Sequence, residues 1–75
     1  MHVGVEVEGI HCWLDLVRVS GYNRPTWLTI LDGPDGNTTL EIADSEEQGI
    51  SHHTAYANGA EMPFGGLTAQ PLGGK

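Results

Sequence analysis

Cys12 follows His11, and a thiol beside an imidazole is the pair that nucleophilic catalysis uses. Such a cysteine needs a lowered pKa and a base within hydrogen-bond reach. Consecutive side chains of an extended segment point to opposite faces, so the spacing separates the two. Cys12 falls on an apolar side with Val5, where a buried thiol behaves as a small hydrophobe. Ser51 beside His52 lacks a third member and oxyanion donors. Glu6, Asp15 and Glu41 offer carboxylates, but nothing places two of them in one cleft. No catalytic residue is assigned, and the chain reads as a non-enzyme. Catalysis would need a site shared between several subunits.

The histidines His2, His11, His52 and His53 are the other reactive group. His2 and His11 can share a hairpin face with Glu6 and Asp15, and imidazole with carboxylate suits zinc or copper. The spacing matches no established metal motif, and adjacent His52 and His53 on a strand would diverge. Solvated surface histidines are the simpler reading, so no metal ligand and no cofactor is assigned. Asp32, Asp35 and Asn37 suggest a calcium loop, yet an EF-hand starting at Asp35 would need glycine at Leu40. Tight-turn chemistry accounts for those residues.

The elements that position these groups are strands. Val3-Gly4-Val5-Glu6-Val7 alternates, Glu8-Gly9 fits a two-residue loop, and residues 10–16 return. One register sets Val7 against Ile10, Val5 against Cys12 and Val3 against Leu14, which predicts six buried residues on one face. The same register sets Glu6 against His11 and His2 against Asp15. Ile10, Trp13, Leu14 and Val17 also fit helical spacing, but β-branched Val17 and Val19 favour a strand. Residues 26–31 and 38–43 flank the turn Asp32–Asn37, predicting Ile30 against Leu40, Leu28 against Ile42 and Thr29 against Glu41. Asp44–Gly49 reads as a polar connection with one capped helical turn. Residues 50–62 read as a weak hairpin about Asn58-Gly59.

The expected fold is therefore mostly β: a small antiparallel meander or partly open barrel of 4–6 short strands, with an irregular Gly/Pro-rich C-terminal tail. Residues 1–62 form one small domain, and 63–75 an extended arm ordered by contact with another chain. Leu72-Gly73-Gly74 resembles the diglycine tail of ubiquitin-like carrier proteins over three residues, and no function is carried over from it.

With 75 residues and a single cysteine, the chain has a thin core and no internal disulfide, which favours association over an isolated monomer. Ten acidic residues against three basic ones give a net charge of −7. Lys and Arg too few to form a patch exclude nucleic acid and anionic membranes as partners. Neither a signal peptide nor a membrane span is visible, so a reducing cytoplasm or a virion assembled there is expected.

Surface contact is the remaining role. Trp13, Trp27, Phe64, Leu67 and Leu72 are the candidate partner-binding residues, with another copy of the chain or another protein as partner. The expected function is a non-catalytic accessory subunit of a larger assembly, such as a capsid-decorating or other viral structural protein. An acidic inhibitor or immunity-type protein that blocks a basic site is the alternative, and a small histidine-based metal-binding protein the next.

Overall fold

Residues 1–20 and 23–72 are described by the structure, a computed structural model. β1 (His2–Val7) and β2 (Ile10–Val19) form the first hairpin. Its loop needs two left-handed residues, and Glu8 and Gly9 supply φ of +52° and +79°. The register pairs Val7 with Ile10, Val5 with Cys12, Val3 with Leu14, Glu6 with His11 and His2 with Asp15, as the alternation predicts. Burial follows for Val5, Val7, Cys12 and Leu14, but Val3 and Ile10 stay 38% and 51% exposed at opposite ends of the ribbon. Sharing a face does not bury them, because among the described residues the buried core covers the middle of the ribbon and not its ends.

β3 (Thr26–Gly33) and β4 (Gly36–Ala43) form the second hairpin, closed by Pro34 and Asp35. Leu28 pairs with Ile42 and Thr29 with Glu41, as expected, but Ile30 pairs with Thr39 in place of Leu40. A β-bulge causes the difference: the extra residue, Leu40, turns to the same side as Glu41 and is buried there. The face built by Trp27, Thr29 and Leu31 thus continues the buried side of the first hairpin, since Leu31 pairs with Leu14 and Thr29 with Leu16.

The expected hairpin at 50–62 is replaced by helix α1 (Glu46–Ala57). Ser45 caps it, its Oγ accepting from the Gln48 N–H at 3.2 Å, one position later than the expected Asp44–Glu47 cap. Asn58-Gly59 serves as the helix stop. Gly59 takes φ +97°, and the Ala60 and Gly59 N–H groups donate to the Ala55 and Tyr56 carbonyls, a Schellman motif. Gly49, His53 and Tyr56, spaced along one helix side, are its buried residues.

β5 (Ala69–Pro71) pairs with the outer edge of β1. Residues 63–75, read as an arm awaiting another chain, therefore contribute a strand to their own sheet, while Gly73, Gly74 and Lys75 lie outside the described residues. Ala69 is buried, and Leu67 packs against the core. The result is mostly β: five antiparallel strands in the order β4-β3-β2-β1-β5, curled into a half-barrel with one short helix. The helix carries the chain from the β4 edge to the β5 edge. At about 1.5 Å per residue its length is roughly 18 Å, close to the sheet's width at about 4.8 Å per strand. The core of Val5, Val7, Leu14, Leu40, Tyr56 and Met62 lies between helix and sheet. The other side of the sheet has no layer over it among the described residues.

Candidate interaction surface

Strand alternation decides what that open side presents. Every second residue of β2 projects there: His11, Trp13, Asp15, Val17 and Val19, opposite the buried Cys12 and Leu14. β3 adds Leu28 and Ile30, which pair with Val17 and Asp15, and β4 adds Ile42 and Thr39. Ile42 is 65% exposed and Trp13 38%.

The face divides into two ends. At one, a groove of about 760 Å³ is lined by Val19, Leu28 and Ile42, with Thr26 and Thr39 beside them. Arg24 and Asp44 flank it, with Nη1 and Oδ2 3.8 Å apart and both side chains exposed.

At the other end Trp13 is the centre. His2 stacks on it with ring centroids 4.1 Å apart and planes 11° apart, and His11 tilts against it at 5.1 Å. His2 Nδ1 also contacts Asp15 Oδ1. Gly4 makes this cluster possible: a Cβ there would lie 2.6 Å from Leu72 Cδ1 and 3.4 Å from Trp13 Cζ3. Leu72 thus lies over Gly4 beside Trp13.

The structure brings Trp13 and Leu72 together and scatters the other three candidates. Trp27 is half-buried on the helix side, with the Arg18 guanidinium 5.9 Å from its ring centroid. Phe64 stands exposed in the turn between Met62 and Leu67, and Leu67 is taken up by the chain's own core. Val17, Leu28, Ile30 and Ile42 were not among the candidates. The signal for them is the second hairpin's apolar pairing itself, once that side is known to be the open one.

The reactive groups are placed as follows. Cys12 is buried, its Sγ 3.6 Å from the Ile10 carbonyl, and burial, then the Asp32 carboxylate, push its pKa up. A thiol so held stays protonated and is a poor nucleophile. His53 is consumed by a buried hydrogen bond to the Leu14 carbonyl. Among the described residues, no three His, Cys, Asp or Glu side chains come together as a metal site would need. No helix among the described residues is long and apolar enough to cross a membrane.

The chain matches no family model, no curated protein and no solved structure.

Proposed function

We propose that this chain is a non-catalytic protein-interaction module, in its most concrete form a small accessory subunit of a larger assembly, working through the open face of its sheet. One observation carries the reading. One sheet side is covered by the helix, while on the other no layer among the described residues covers Trp13, Val17, Leu28 and Ile42. Exposed apolar patches of this kind, rimmed by polar groups, mark protein contacts. The buried, protonated Cys12 leaves little support for nucleophilic chemistry.

The acidic-inhibitor reading keeps one specific support. Glu6, Asp15 and Asp32 share the open face with Trp13, an arrangement suited to a basic partner around an aromatic anchor.

The test is quantitative binding of a protein that co-purifies with the chain from its native source, measured with Trp13→Ala, Ile42→Lys and, as a control off the face, Phe64→Lys. The reading expects the two face variants to lose about tenfold or more in affinity and the control to match wild type. Equal binding by all four proteins overturns it. Strong salt dependence, with loss concentrated in Trp13→Ala, would favour the inhibitor form.

A further inference from the structure

We infer that the groove end of the open face is a two-fold self-association surface, on which a second copy of this chain packs sheet against sheet and each Arg24 meets the other copy's Asp44. The inference rests on the reading of the open face as an interaction surface and names its occupant at one end.

A two-fold contact must be complementary to itself, because the same patch appears on both sides. A chain of net charge −7 repels its own copy over most of its surface. Only a patch that is locally neutral and carries both signs escapes this. Of the three basic residues, Arg18 sits over Trp27 on the helix side, Lys75 lies outside the described residues, and Arg24 flanks the groove opposite Asp44. Among the described residues, the groove is therefore where the open face presents an arginine beside an acidic side chain.

The pair is poorly used within one chain. Its 3.8 Å separation exceeds a hydrogen bond, and the side chains are 68% and 74% exposed. Such a contact contributes little to folding, so both groups are free to re-pair. A two-fold axis over the groove exchanges them, giving two Arg24–Asp44 contacts across the interface.

Shape agrees with charge. Ile42, the most exposed large apolar side chain of the face, stands at the sheet edge as a ridge beside the floor of Val19 and Leu28. The open-face row of β4, Asn37, Thr39 and Ile42, carries no charge, and the strand's one acid, Glu41, is turned away to Tyr56. Sheets pack face to face at about 10 Å, so the ridge of one copy reaches the other's groove.

Sedimentation equilibrium of the full chain, from micromolar to millimolar, reads the association directly. Wild type is expected to form a species of twice the 8.0 kDa chain mass. Arg24→Asp and Asp44→Arg should each weaken it about tenfold or more, and Ile42→Lys should abolish it. Mixing the two charge reversals should restore the affinity, because each altered residue then meets its complement on the other copy. An intrachain pair could not be rescued by mixing. A wild-type chain monomeric at millimolar concentration overturns the inference, as does a mixture no tighter than its components. If wild type is monomeric while Trp13→Ala and Ile42→Lys still lose a different protein, only self-pairing falls. If self-pairing holds but no other protein depends on the face, the accessory-subunit role falls alone.

Discussion

His53 on the helix and Leu14 on β2 are joined by a hydrogen bond of 2.8 Å between two fully buried residues. A carbonyl can only accept, so the Nε2–H donates, and this bond fixes α1 against the middle of the sheet. His53→Leu keeps an apolar body but withdraws the donor. It should cost about 1–3 kcal/mol, the range for leaving a buried polar group without its partner. Urea denaturation of the two proteins checks this, and an unchanged midpoint would mean that the contact holds nothing.

Tyr56 and Glu41 tie the same helix to β4, the hydroxyl donating to Oε2 at 2.6 Å. That hydrogen bond first, then burial, then repulsion between the carboxylate and a phenolate push the Tyr56 pKa from 10.0 up to about 12. The folded value lies above the unfolded one, so the contribution to stability is complete below pH 10 and disappears as pH rises through about 12. Tyrosinate absorbance in a Tyr22→Phe background should show the late titration. Stability should fall between pH 10 and about pH 12 in wild type and less in Tyr56→Phe. Equal slopes would contradict the assignment.

Thr29 is 1% exposed under the helix, and its Oγ1 has no hydrogen-bond partner among the described residues. Valine has nearly the same shape without the unsatisfied oxygen. Thr29→Val should therefore raise stability by about 1 kcal/mol, reading the usual penalty for such a group in reverse. Calorimetric melting is the measurement, and a lower Tm would show that the hydroxyl is satisfied in solution.

The first hairpin was legible because its pattern has two independent halves. Apolar residues meet on one side and acids meet histidines on the other, and a slip by one residue destroys both agreements. The second hairpin was legible except at Leu40, where one extra residue in β4 leaves no mark in an alternating apolar run. The helix was hidden by its composition. Gly49, Ile50, Thr54 and the His52-His53 pair are poor helix formers, and its buried side has few large apolar groups. What did mark it was local: Ser45 three residues before Gln48, Asn58-Gly59 at its end, and Gly49, His53 and Tyr56 at spacings of four and three. With residues 50–62 reading as a hairpin, the sequence does not separate the open face from the covered one. Trp27 is a partner candidate in the sequence for that reason, and it lies on the helix side; Leu67 is one because its Gly/Pro-rich segment reads as an arm, and it packs against the core.

Gly49 decides how closely the helix approaches the sheet, and Gly49→Ala separates two effects of opposite sign. In an isolated helix alanine is preferred over glycine by about 1 kcal/mol. Here a Cβ on residue 49 would lie 2.9 Å from Trp27 Cβ, 3.2 Å from Leu16 Cδ1 and 3.4 Å from Trp27 Cγ. The Leu16 methyl can rotate away, but the Trp27 Cβ is attached to the backbone of β3 and moves only with the strand. The helix must therefore lift, and lifting it stretches the His53–Leu14 and Tyr56–Glu41 bonds on the same side. Overpacking of this kind costs about 1–3 kcal/mol, so the gain in propensity is cancelled or exceeded. Gly49→Ala should be less stable than wild type in urea, and Gly49→Val less stable again because of its two γ-methyls. Ser51→Ala, on the exposed side of the helix, should be nearly neutral. A Gly49→Ala protein more stable than wild type would show that helix and sheet are not held at this distance.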